Sequence, residues 1–239
     1  FGWRDGWSLN AGIVLLCVLP AVYILMRVPR EPHPSEKEKI VEGHQWTRGE
    51  VIRDPLFWPL IFVLLGPPVI GTVIFFHQVY LTELRGWALG QFAGSTPVLS
   101  IAAIAMTFIS GHLIDKYHSA VLLAVMLVFT AIANFALALV PDAWAILVFM
   151  AFMGGAFGVY ATVFGAIWPE LYGTRHLGSI KSMVTSIMVL STAVGPGLSG
   201  WLIDLGISYP VMISVMAGYA LLAAVCAIFI ARVAGRRFA

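Results

Sequence analysis

LFWPLIFVLLGPPVIGTVIFFHQVYL, residues 56–81, contains no Asp, Glu, Lys or Arg. A helix rising 1.5 Å per residue needs about 20 such residues to cross the roughly 30 Å of hydrocarbon in a bilayer. Six further stretches read the same way: 7–27, 87–113, 119–140, 143–168, 178–203 and 208–230. The chain is 60% hydrophobic and 11% charged, whereas a soluble domain carries about 25% charged residues. Lipid must cover part of so much apolar surface. The pattern predicts an all-α polytopic membrane protein with seven transmembrane helices. It excludes a soluble enzyme and makes nucleic acid an unsuitable partner. Cys17 and Cys226, the only 2 cysteines, sit inside apolar runs and read as small buried hydrophobes. No metal and no cofactor is expected.

The basic residues are placed asymmetrically. If the first helix enters from outside, Arg4 and Arg85 are the only 2 of the 14 Lys and Arg residues on the outer side. The excess on the other side marks it as cytoplasmic and predicts an external N-terminus and a cytoplasmic C-terminus. The chain opens with Phe1 rather than Met, so further upstream sequence is expected. Three regions follow: a lone transmembrane helix at 1–27, a charged cytoplasmic loop at 28–54, and a six-helix block at 55–239. Pro29, Pro32 and Pro34 oppose helix at the start of the loop. The loop reads as a solvated linker, with a short surface helix beginning near Glu36–Lys39 as the alternative.

Ser110-Gly111-His112-Leu113-Ile114-Asp115 recurs as Ser199-Gly200-Trp201-Leu202-Ile203-Asp204, 89 positions later. Three spans separate the copies, so they have opposite orientations. The six-helix block therefore reads as two inverted three-helix repeats, a common architecture of secondary transporters. In each copy the Gly would allow close helix approach, and the Asp would lie where a charge is affordable.

Several motifs extend this reading. Gly2-Trp3-Arg4-Asp5-Gly6-Trp7 resembles the G-W-R-x-x-W leading into the sixth helix of major facilitator superfamily transporters. Gly111 to Lys116, with Asp115, resembles that family's second-half G-x-L-x-D-(R/K) loop. His118, Ser119 and Ala120 replace the Gly and two basic residues that normally continue it. Gly195-Pro196-Gly197-Leu198-Ser199-Gly200, followed by Asp204, resembles the G-P-x-x-x-G-x-x-x-D of helix eleven. The whole chain thus resembles the C-terminal half of such a transporter, preceded by helix six. Residues 70–86, with His77 and Gly86, are similar to the monocarboxylate and oxalate–formate carriers.

This resemblance implies a small-molecule solute moved by alternating access with proton coupling, an organic anion such as a monocarboxylate being one candidate. It also implies the bilayer as environment, a bacterial inner membrane, an N-terminal half missing from this chain, and a monomer when complete. Within the family, Asp115 would meet the positive end of a helix in the other half; alone, Lys116, Arg175 and Arg237 are the nearby pairing candidates.

The residues themselves offer several site candidates. His77 is the one titratable side chain well inside a span, where an imidazole can take a proton or bond a solute; facing the headgroup layer or bonding a neighbouring carbonyl is the competing reading. Gln78 and Tyr80 are nearby and expected to point elsewhere. Gly66-Pro67-Pro68 and Gly71 predict a helix break or kink at mid-membrane, because each Pro frees a carbonyl one turn back. Gly154-x-x-x-Gly158 permits close backbone approach. Tyr160 and Thr162 could reach a cavity, and Asn134 reads as interhelical glue. Glu83, Asp142 and Glu170 read as solvated, and the tryptophans, Trp168 included, as a headgroup belt. A membrane-embedded hydrolase is the alternative function. It would need a nucleophile–base pair at membrane depth, and His77 has no acidic partner at suitable spacing. A non-transporting half fragment is a third reading.

Overall fold

The computed structural model describes residues 2–27 and 44–238. These form two units, divided between Glu42 and Gly43. Seven helices are long and apolar enough to span a membrane: Arg4–Met26, Phe57–Phe76, Leu89–Lys116, Ser119–Leu139, Ala145–Tyr172, Leu177–Asp204 and Tyr209–Gly235. The described residues contain no strand. The protein is an all-α polytopic membrane protein. The surface helix considered at Glu36–Lys39 falls outside the described residues.

The described residues of the first unit form one continuous helix, α1 (Trp3–Ile13), a π-helical segment (Val14–Val18) and α2 (Leu19–Met26). Pro20 lacks the N–H that a regular α-helix would use there. The wider π turn spans the gap, with the Leu19 N–H reaching the Val14 carbonyl. Cys17 is exposed on this helix, not buried as its apolar surroundings suggested, while Cys226 is half-buried. At the helix end the Arg27 guanidinium lies 4.4 Å from the Tyr23 ring centroid, one turn back.

The second unit comprises α3 (Arg48–Arg53), α4 (Phe57–Phe76), α5 (Gln78–Arg85), α6 (Leu89–Gly94), α7 (Thr96–Lys116), α8 (Ser119–Leu139), α9 (Ala145–Tyr172), α10 (Leu177–Asp204) and α11 (Tyr209–Phe238). The 89-residue offset maps α4, α7 and α8 onto α9, α10 and α11. The packing obeys the same mapping: α4 against α10 answers to α9 against α7, α4 against α11 answers to α9 against α8, and α8 against α11 maps onto itself. The inverted repeat is therefore present in three dimensions. One core, around Leu60, Leu123, Met126, Val163 and Trp168, fills the end carrying Asp115. A second, around Ile74, Phe92, Phe149, Met153 and Tyr209, fills the end carrying His77.

The two equivalent crossings differ in how closely the backbones meet. A Cβ at Gly154 would lie 2.2 Å from the Leu99 carbonyl oxygen, and one at Gly158 2.3 Å from that of Ala103. This is the backbone approach that the Gly-x-x-x-Gly spacing predicted. Thr107 exploits it, its hydroxyl lying 3.4 Å from the Gly158 carbonyl. Across the α4–α10 crossing the small residue is Gly195, where a Cβ would sit 3.1 Å from Val73. The repeat-motif glycines behave differently from expectation. Gly111 has open space around it, and the nearest atom to a Cβ at Gly200 is His77 Nε2, at 3.8 Å. Close approach comes one or more turns earlier, where the helices cross.

Helix α8 is held at both ends by charge. Glu170 accepts hydrogen bonds from the Ser119 N–H and hydroxyl, at 3.1 and 2.6 Å. Arg85 donates to the carbonyls of Leu137 and Ala138, at 3.1 and 2.6 Å. A carboxylate at the start and a guanidinium at the end complement the helix dipole and satisfy terminal backbone groups. Glu170 is thus a capping group, not a solvated one; Glu83 and Asp142 are exposed as expected. Glu170→Gln or Arg85→Gln should each cost about 1–3 kcal/mol, the range for charge-assisted hydrogen bonds. Melting of the detergent-solubilised protein would measure this; an unchanged midpoint would remove the clamp.

At the opposite end from His77, residues 44–54 pack onto the bundle instead of forming a solvated linker. Trp46 N–H donates to the Tyr172 carbonyl at 3.2 Å. Gln45 Oε1 accepts from the Thr174 and Arg175 N–H groups, both at 3.1 Å. Buried Asp54 accepts from the Tyr172 hydroxyl at 3.0 Å. Gly173, at φ +80°, leaves room for the Gln45 side chain. Thr47 and Glu50 cap α3 reciprocally. The Thr47 N–H holds the Glu50 carboxyl below its ordinary range, so the cap is complete above the usual carboxylate pKa and is lost as pH falls through the lowered value. Tyr172→Phe should loosen this strap and speed amide exchange over 45–54, as mass spectrometry would detect; unchanged exchange would contradict the assignment.

Trp168 also departs from the belt reading. It is fully buried, stacked on Tyr172 at 6.2 Å and flanked by Phe57 and Phe164. Trp7, Trp58, Trp144 and Trp201 are exposed, as belt residues are.

Candidate functional site

The chain stays helical through Gly66, Pro67, Pro68 and Gly71. The expected break at these residues is absent. Gly66 admits the Tyr219 ring, whose hydroxyl donates to the Phe62 carbonyl, and Thr72 bonds the Pro68 carbonyl at 2.7 Å. The interruption falls instead at His77, where φ is −96° and ψ 19°, between α4 and α5.

That position places His77 against α10 and α11. The Val73 carbonyl accepts the His77 backbone N–H at 3.1 Å, the imidazole Nδ1 at 3.1 Å and the Tyr209 hydroxyl at 3.4 Å. Ser199 Oγ lies 3.5 Å from Nδ1 and donates its own proton to the Pro196 carbonyl at 2.9 Å. The seam is built by register. Val69, Val73 and His77 follow one another at four-residue spacing on α4, and Gly195, Pro196, Ser199 and Gly200 share the facing side of α10. The pseudo-equivalent contact joins Ser110 to Thr162 at 2.9 Å. Each motif serine therefore ties the second helix of one repeat to the first helix of the other.

One ring nitrogen of His77 lies against a neighbouring carbonyl, as the competing reading had it; the other, Nε2, makes no hydrogen bond among the described residues. Tyr80 does not point elsewhere: its ring lies 5.7 Å from that of Tyr209, which lies 5.6 Å from His77. Three residues apart, the two share a side. Gln78 is half-buried beside them. Tyr160 and Thr162 engage other partners. Tyr160 donates to Met188 Sδ at 2.9 Å and stacks on Phe164, and Thr162 bonds Ser110 and the Gly158 carbonyl.

Asp115, Lys116 and Asp204 are exposed. The ammonium of Lys116 sits 5.5 Å from the Tyr117 ring centroid, and Asp115 forms no ion pair with Lys116 or Arg175; the side chain of Arg237 lies outside the described residues. Asn134 bonds the Thr130 carbonyl of its own helix at 2.8 Å, and its buried Oδ1 has no partner, so it is not the interhelical bridge expected.

A groove of about 360 Å³ runs beside Gly66, Val69 and Ile70, between Ser191 on α10 and Met216 and Tyr219 on α11. Its hydroxyls are already committed, Ser191 to the Ile187 carbonyl and Tyr219 to that of Phe62. It offers hydrocarbon and no free polar group. Sequence reasoning passed over Ser199 and Tyr209. Ser199 was legible, since the repeated hexapeptide begins on it; the Tyr209 contact depends on how α11 packs.

The Ser199–His77 contact, at 3.5 Å, is longer than the 2.9 Å from the serine hydroxyl to the Pro196 carbonyl and the 3.1 Å from Nδ1 to the Val73 carbonyl. The architecture is that of an integral membrane protein built on an inverted three-helix repeat with its polar contacts at the repeat crossings. The family model for the Major Facilitator Superfamily matches residues 1–143 and, overlapping, 98–238. The chain belongs to the Major Facilitator Superfamily, a family of membrane transporters.

Proposed function

We propose that this chain contributes the second half of a proton-coupled secondary transporter that moves a small organic anion, such as a monocarboxylate, by alternating access. In this reading the six spans within α4–α11 form the C-terminal six-helix half, residues 1–27 correspond to helix six, and 28–54 is the central loop. The end carrying Asp115 faces the cytoplasm, as the basic residues argue. The bacterial inner membrane and a monomeric complete protein go with this reading.

The observation that carries the proposal is His77, a titratable ring set at the crossing of the two repeats with one nitrogen unengaged. Protonating it places a cation where an anionic solute can bind. By linkage the solute and the proton then strengthen each other's binding. The exposed Asp115 and Lys116 would meet the other half.

Proteoliposomes test this. The complete transporter should accumulate radiolabelled short monocarboxylates under an imposed pH gradient, and this segment alone should not. Equal accumulation with and without the gradient would overturn proton coupling.

A further inference from the structure

The seam between α4 and α10 fixes more than the position of His77; it fixes where the ring carries its proton. The Val73 carbonyl can only accept, so Nδ1 at 3.1 Å must donate to it. Ser199 spends its own hydrogen on the Pro196 carbonyl, so its oxygen, 3.5 Å from Nδ1, is a second acceptor for the same N–H. In the neutral ring the lone pair therefore sits on Nε2. That nitrogen faces Gly200, whose missing side chain leaves the nearest Cβ position 3.8 Å away. The other groups around the ring, Phe76 and Tyr209, are uncharged.

We infer that Ser199 and Gly200 are positioning residues that hold neutral His77 in its Nδ1–H form and keep Nε2 open as the seam's single acceptor for a proton. The repeated Ser-Gly dipeptide thereby does two jobs. In the first copy Ser110 meets a threonine and Gly111 faces open space; in the second, Ser199 orients an imidazole and Gly200 clears its free nitrogen. The inference deepens the proton-coupled reading above and rests on it for its consequence, but not for its test.

Nitrogen-15 NMR of His77 in the complete, purified transporter, titrated with protons and with no solute present, reads the ring directly. The expected result is a protonated Nδ1 and a lone-pair-bearing Nε2 in the neutral form, with the proton added at Nε2 as pH falls. Two variants separate chemistry from bulk. Gly200→Ser puts a hydroxyl within reach of Nε2, and its O–H, donating to the lone pair, should shift the Nε2 resonance of the neutral ring. Gly200→Ala adds a methyl at ordinary contact distance and should leave that resonance in place. Ser199→Ala should increase the share of the other tautomer. A wild-type ring protonated on Nε2 instead, or the same Nε2 resonance in Gly200→Ser and Gly200→Ala, would overturn the inference. Neither outcome depends on whether transport is proton-coupled.

Discussion

Gly154→Ala and Gly158→Ala should each lower the melting temperature of the solubilised protein by roughly 3–10 °C, and the double variant should fail to fold. The added Cβ would stand 2.2 or 2.3 Å from a backbone carbonyl oxygen of α7. Backbone cannot swing aside as the end of a flexible side chain can, so α7 and α9 must separate. Overpacking of this kind costs about 1–3 kcal/mol per site, and each kcal/mol moves the midpoint of a protein this size by about 2–4 °C. Separation also lengthens the Ser110–Thr162 contact, which now measures 2.9 Å. Gly165→Ala and Gly178→Ala are the controls. A Cβ at either position meets nothing within 4 Å, and alanine there should be neutral or mildly stabilising. Thermal melting followed by fluorescence-detected size exclusion would decide it; four equal midpoints would mean that the helices do not meet as closely as described.

His77→Ala should reduce gradient-driven accumulation by the complete transporter at least tenfold, while exchange of solute across the membrane without a gradient persists. Removing the imidazole takes away the titratable ring at the α4–α10 seam and leaves the Val73 carbonyl with its backbone N–H and the Tyr209 hydroxyl. The fold should survive, because both remaining donors stay in place. His77→Gln tests the proton specifically: it keeps a polar side chain of similar reach without the ability to titrate at neutral pH. Accumulation restored by glutamine would remove the proton from the role.

The fold was legible because a helix in lipid must satisfy its own backbone, so uncharged length alone marks each span. The inverted repeat was legible from one hexapeptide, and the packing follows its 89-residue offset. What sequence reasoning missed are the contacts that depend on the partner helix. Glu170 looks like any acid at a span end until Ser119 is found beside it. Trp168 looks like any interfacial tryptophan until residues 44–54 fold back over its end of the bundle. The proline pair of α4 signalled a break because local rules see the missing N–H groups, whereas the helix continues through both prolines. At the candidate site the resemblance pointed to His77. The pairing that gives it a fixed proton position came from Ser199, a residue whose ordinary role is to bond its own helix.

The most direct test of alternating access uses a single cysteine at Gln78, half-buried next to His77, in the complete transporter with Cys17 and Cys226 replaced by serine. Labelling by a membrane-impermeant thiol reagent from the compartment at that end of the bundle should change several-fold when a proton gradient is imposed, as the seam closes on one side and opens on the other. A rate indifferent to the gradient, measured from either compartment, would contradict the account.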